Sequence, residues 1–213
     1  MKGKIALPLC LMLVFALSRI PGMLPQNFSV AYALMFCAGV YFRNAMAWWL
    51  PLAVMVVTDV SLNFYYQHAD PQHSVWDSRN LANLAFNYVA YAALILLGRR
   101  YRPKSSLISL LGGGIFGAML FYFITNTASW FFNPFSNPEY TKTLLGWFTA
   151  LTKGIGGWPQ TWEFFRNTLL SGGLFTGLFA AAMKLSAPAE SPADKTAGTR
   201  DEETAAEPEE AAG

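Results

Sequence analysis

Long apolar runs separated by short polar stretches set the rhythm of this chain. Residues 5–17, 28–42, 47–66, 81–98, 107–132 and 162–184 are almost continuously hydrophobic. None keeps the alternation of a half-buried strand, and most are too long for a core strand. A bilayer's hydrocarbon core takes about 20 apolar residues as a helix, so the pattern predicts six membrane-spanning helices. Breakers fall where such helices would stop. Arg19, Pro21, Gly22 and Pro25 end the first run, Arg43-Asn44 the second, and Arg99-Arg100-Tyr101-Arg102-Pro103-Lys104 the fourth. Residues 67–79 form a polar loop, and 133–161 a long connection in which 140–153 read as a short amphipathic helix. Trp147, Trp158 and Trp162 suit the headgroup level.

Composition sharpens this picture. Hydrophobic residues make up 54% of the 213 and charged residues 13%, about half the charged share of a soluble domain. The fold class expected is all-α, a polytopic membrane helical bundle over residues 1–185. From 186 to 213 the chain is mostly Ala, Pro, Glu, Asp, Lys and Thr without an aromatic residue, which predicts a disordered acidic tail. The net charge of +2 averages a basic membrane part with that tail and argues for no nucleic-acid partner. Lys2 and Lys4 before the first run resemble a signal peptide. The absence of a small-residue cleavage site after Leu17 favours a retained span. Cys10 and Cys37 both lie in apolar runs and suggest neither disulfide nor metal.

Charge asymmetry sets the orientation. The basic cluster 99–104 belongs in the cytoplasm, which places both termini of a multi-pass inner-membrane protein inside. With that topology the intramembrane polar residues gather in the outer half of the bilayer. Asp59 lies late in the third span, Asn83 and Asn87 early in the fourth, Asn126 late in the fifth, and Glu163, Arg166 and Asn167 early in the sixth. Helical spacing gives three stripes: Asp59, Asn63 and Tyr66; Asn80, Asn83, Asn87 and Tyr91; Tyr122, Asn126 and Asn133. Polar groups facing lipid are costly, so the stripes should face one another around a cavity that opens outward. Arg166 shares a face with Leu170, Gly173 and Gly177, a small-xxx-small helix contact, and is expected to point inward toward Asp59. The alternative is that Asp59 and Arg166 satisfy each other and the asparagines merely join helices.

Other motifs are weaker. His68-Ala-Asp70-Pro-Gln-His73 offers two imidazoles and a carboxylate without a fourth metal ligand. Asn27-Phe-Ser29 matches a glycosylation sequon but reads more simply as a helix entry. Gly112-Gly113-Gly114 has no following lysine and is no phosphate loop. No nucleophile–base pair, metal-ligand cluster or cofactor motif is visible, so an enzyme is not expected.

Several of these residues carry a resemblance. Asn27-Phe-Ser29 followed by Gly39-Val-Tyr-Phe42, the run from Pro51 to Asp59, Thr125-Asn126, and Phe164-Phe-Arg-Asn-Thr-Leu-Leu170 with Leu174-Phe-Thr176 are the residues concerned. Over residues 19–183 the chain resembles an uncharacterised family of bacterial six-span inner-membrane proteins. That family is itself similar in plan to the substrate-specificity (S) subunits of energy-coupling factor (ECF) transporters. Ser171-Gly172 stands where the pattern has Gly-Asp, and the first span lacks the Ala-xxx-Ala spacing with which S subunits dock. The resemblance implies uptake of a small polar solute with separate ECF-type transmembrane and ATPase subunits.

Together these readings predict a solute site built from Asp59, Asn83, Asn87, Asn126, Arg166 and Asn167, with Tyr66, Tyr122 and Trp130 as aromatic walls. Asp59 and Arg166 would hold charged ends of the solute. The competing expectation is a non-transporting membrane scaffold or assembly protein whose polar core is structural.

Overall fold

The computed structural model describes residues 3–42, 44–69 and 75–186. Among them there is no strand, and the helices are α1 (Gly3–Ser18), α2 (Ala31–Tyr41), α3 (Met46–Ala69), α4 (Ser78–Gly98), α5 (Leu107–Phe132), α6 (Leu144–Thr152) and α7 (Thr161–Leu185). Of the tail expected from 186 onward, only Ser186 lies within the described residues. Local chemistry sets several of the boundaries. Asp77, Ser106 and Thr143 each accept a backbone N–H in the first turn of α4, α5 and α6. Asn133 ends α5 in the left-handed conformation, φ 41°. The Lys142 ammonium then donates to the free carbonyls of Trp130, at 2.7 Å, and Phe131.

Among the described residues four helices, α3, α4, α5 and α7, are long and apolar enough to cross a membrane. The other two expected spans are shorter. α2 has 11 residues, about 16 Å at 1.5 Å per residue, or roughly half the hydrocarbon thickness. α1 has 16 residues. The apolar run beginning at Phe28 does not begin a helix there. Gly22 and Asn27 hold positive φ angles of 79° and 58°. The Ser29 hydroxyl accepts the Ala31 N–H at 3.1 Å, so helix starts only beyond it.

The short α2 is the axis of the molecule. Ten of its eleven residues are buried, and α1, α3, α4, α5 and α7 all pack against it. It runs parallel to α4, and the two backbones touch at Gly39 and Gly98. A Cβ on Gly39 would stand 2.2 Å from the Ile95 carbonyl oxygen, and one on Gly98 2.1 Å from that of Phe36. α5 and α7 run antiparallel with the same economy of side chain, Gly114 against Thr176 and Gly172 against Ala118.

This packing corrects the expected orientation of α7. The tightest contact is made by Gly172, whose Cβ would lie 2.5 Å from that of Ala118. For Gly173 and Gly177 the nearest atoms are at 3.3 and 3.7 Å. The buried stripe is therefore centred on Thr161, Thr168, Gly172 and Thr176, one position round the helix from the predicted one, with Gly173 of the predicted face buried at its edge. Arg166 and Leu170 are carried to the flank, where both are exposed.

At the other end of the bundle, Lys184 donates to the Ser105 carbonyl at 2.7 Å. This joins the end of α7 to the basic link between α4 and α5, so these two stretches share one face. The short helix expected near 140–153 is α6, resting on α5 and α7 with Gly146 and Ala150 buried.

Candidate functional site

The buried carboxylate of Asp59 has two partners, neither of them Arg166. The Arg19 guanidinium donates to Oδ1 through Nη2, and the Tyr88 hydroxyl donates to Oδ2 at 2.8 Å. The Asp59 side chain is 7% exposed and that of Arg19 22%. Arg166 instead lies over the ring of Trp162, 5.8 Å from its centroid. Arg19 follows an apolar run directly and precedes Pro21 and Gly22, so in the sequence it reads as a flanking charge. Only the turn of the chain after α1 brings it beside α3.

Arg19 forms part of a cavity of about 660 Å³. Its walls are residues 19–29, the second halves of α3 and α5 and the first half of α4. Ten of the eleven residues from Arg19 to Ser29 line it. Tyr32, Tyr91 and Phe121 form an aromatic floor: Tyr91 stacks on Phe121 with centroids 5.0 Å apart, and Tyr32 meets the same ring at 4.7 Å. Of the three predicted stripes, Tyr66, Asn83, Asn87, Tyr91 and Asn126 border this cavity, whereas Asp59, Asn63, Asn80, Tyr122 and Asn133 do not.

Of the six predicted site residues, Asn83, Asn87 and Asn126 line this cavity and the other three do not. Asp59 stands behind Arg19. Asn167 donates to the Gln26 carbonyl at 2.9 Å and so fastens the loop wall. Arg166 is apart from it. Among the aromatic residues Tyr66 lines the cavity, whereas Tyr122 donates to the Leu151 carbonyl at 2.5 Å and Trp130 to that of Thr141 at 2.7 Å. Tyr122 instead borders a separate apolar groove of about 330 Å³ with Phe123 and Phe165. The wall formed by residues 19–29 was not foreseen, because stretches without periodicity carry no signal of what they cover.

The polar groups of the cavity are unevenly spent. Asn126 donates to the Tyr122 carbonyl, and the Thr125 hydroxyl to that of Phe121. Asn83 and Asn87 have no side-chain hydrogen bond among the described residues, though each amide can both donate and accept. A buried amide without a partner costs about 1–3 kcal/mol, so such groups are stable only where water or a solute reaches them. Among the described residues the lining holds one formal charge, Arg19, which Asp59 compensates, and it contains no histidine, cysteine or carboxylate. Among the described residues no three His, Cys, Asp or Glu side chains converge as a metal site. Asp70 and His73 of the histidine loop lie outside the described residues.

No curated protein and no solved structure matches the chain. One family does, a family of unknown function designated DUF6580, over residues 1–193. That match takes in α1 through α7, and with them every residue lining the cavity. This membrane-embedded helical protein therefore belongs to DUF6580.

Proposed function

We propose that the protein binds a small, polar, net-neutral solute in the cavity bounded by residues 19–29, α3, α4 and α5, without catalysing a reaction. The unspent amides of Asn83 and Asn87, facing a space of about 660 Å³, carry this reading. That volume lies within the ~300–1,000 Å³ usual for small-molecule sites. Because Arg19 and Asp59 already compensate each other, a solute of net charge would bring an unbalanced charge into the bundle. This revises the expectation of two charged ends. Asn83, Asn87 and Asn126 hydrogen-bond the solute, Tyr66 and the aromatic floor contact its apolar faces, and Asn167 holds the loop wall.

The six-helix, S-subunit-like plan is part of the same proposal. The parallel course of α2 and α4 is what a chain crossing alternately would give. The basic link 99–104 and Lys184 then face the cytoplasm of a bacterial inner membrane, and the cavity opens outward. Uptake would rely on separate transmembrane and ATPase subunits of ECF type, for the lining offers no nucleotide site.

The test is thermal stabilisation of the purified protein across neutral and charged vitamins, nucleobases, amino acids and sugars. Ligand at a hundredfold excess over its dissociation constant adds about 2.7 kcal/mol of apparent stability. A neutral or zwitterionic compound is expected to stabilise wild type and to lose that effect in Asn87→Leu. If Asn87→Leu keeps the response of wild type, this cavity is not the site.

A scaffold reading keeps one specific support: Arg19, just after α1, and Tyr88 of α4 both donate to Asp59 of α3 and so tie three helices together. It predicts that no compound stabilises the protein and that Asn83→Ala and Asn87→Ala leave its stability unchanged.

A further inference from the structure

The main cavity is not closed at α4. A second, smaller cavity of about 150 Å³ lies in the seam between α3 and α4, lined by Asn63, Asn80, Asn83 and Asn87 with Val75 and Leu84. Asn83 and Asn87 border both spaces. The spacing 80, 83, 87 puts three amides on one face of α4, with Asn63 of α3 opposite. Asn63, like Asn83 and Asn87, has no side-chain hydrogen bond among the described residues. Three unspent amides in succession are far costlier in a dry helix seam than in a wet one. At roughly 30 Å³ per water the smaller space has room for a short chain of waters. The seam is also thinly held, since α3 touches α4 much less than α2 does. Asp59 and Tyr88 close it on the side of the basic link.

We infer that the α3–α4 seam is a hydrated vestibule through which the solute reaches the main cavity, with Asn63 its outer contact and Asn83 and Asn87 the residues that pass the solute inward. The amides suit the same neutral, hydrogen-bonding class as the cavity, and the inference of passage rests on that reading. The residues between 19 and 29 are then a fixed wall, pinned by Arg19 to Asp59 and by Gln26 to Asn167, rather than the door.

Thiol accessibility tests this in the full-length protein carrying Cys10→Ala and Cys37→Ala, reconstituted in nanodiscs so that both faces are exposed. The probe is a water-soluble, cationic methanethiosulfonate. Thiolate forms in water and not in hydrocarbon, so Asn63→Cys and Asn87→Cys are expected to react about tenfold or more faster than lipid-facing Val57→Cys. Prior modification of Asn63→Cys should slow, by a similar factor, the association of whichever compound the stabilisation panel identifies. Rates for Asn63→Cys no faster than for Val57→Cys would overturn the vestibule, and would leave solute binding standing if the panel gave a hit. Fast labelling with unchanged association would overturn passage through the seam. Fast labelling with no hit from the panel would uphold a hydrated seam and count against the solute reading itself.

Discussion

Arg19 and Arg166 set the residue scale of the problem, since both arginines border membrane-embedded helices and only one is paired with a buried carboxylate. Removing one partner of a buried ion pair costs about 3–5 kcal/mol, because the other charge is left behind. Arg19 keeps some exposure toward the cavity, so the lower end of that range is expected for Arg19→Gln. Arg166→Gln removes a ring contact on an exposed flank and should change stability by no more than about 0.5 kcal/mol. Unfolding in graded SDS would read the difference. Asp59→Asn added to Arg19→Gln should recover part of the loss, since no net charge then remains buried. Equal losses from the two arginine variants would remove the basis for assigning Asp59 to Arg19. The sequence marks Asp59 as a buried ionisable residue needing a partner, and it contains both arginines. It does not decide between them, because a helical wheel resolves faces only to about one position, and one position carries Arg166 out of the bundle.

Glycine separates the elements that must touch from those that need not. Gly39 and Gly98 meet backbone to backbone between α2 and α4. A methyl group there would press on a carbonyl that cannot swing away. Gly39→Ala and Gly98→Ala should each cost at least the ~1–3 kcal/mol typical of overpacking, and more if α2 is displaced. Gly112 of α5 has nothing within 4 Å of its would-be Cβ. Gly112→Ala is therefore expected to be neutral or stabilising by up to about 1 kcal/mol, the helix-propensity gain. Thermal midpoints of the three variants in one detergent would check this. A cost at Gly112 matching that at Gly39 would mean that the contacts described for α5 are incomplete. Apolar run length made α3, α4, α5 and α7 legible from the sequence. It failed for α2, where Phe28 and Val30 extend the apolar run while Asn27 and Ser29 keep the backbone from continuing as helix. Hydropathy counts side chains and does not register where the backbone turns.

At the scale of the whole molecule, the side of the membrane on which the wall of residues 19–29 lies decides where the cavity opens. Lys184 on the Ser105 carbonyl puts the α7 end and the basic link on one face. The cavity lies toward the opposite one, with the starts of α4 and α7. If α1 and α2 both belong to a six-helix plan, the turn between them opens on that opposite face. If they form a hairpin entering from the basic face, the turn stops inside the bundle and is sealed from the other side. Single cysteines in a background lacking Cys10 and Cys37, labelled on intact cells with a membrane-impermeant maleimide, distinguish these cases. Ser105→Cys is expected to label only after permeabilisation, since clustered basic residues stay cytoplasmic. Trp158→Cys, 66% exposed beyond α6, should label directly. The decisive position is Met23, 54% exposed and not part of the cavity lining. Labelling of Met23→Cys together with Trp158→Cys would place the loop wall and its cavity on the outer side, where a solute could be captured for uptake. Labelling of Met23→Cys only with Ser105→Cys would put the loop wall on the inside, and capture from outside would have to be abandoned.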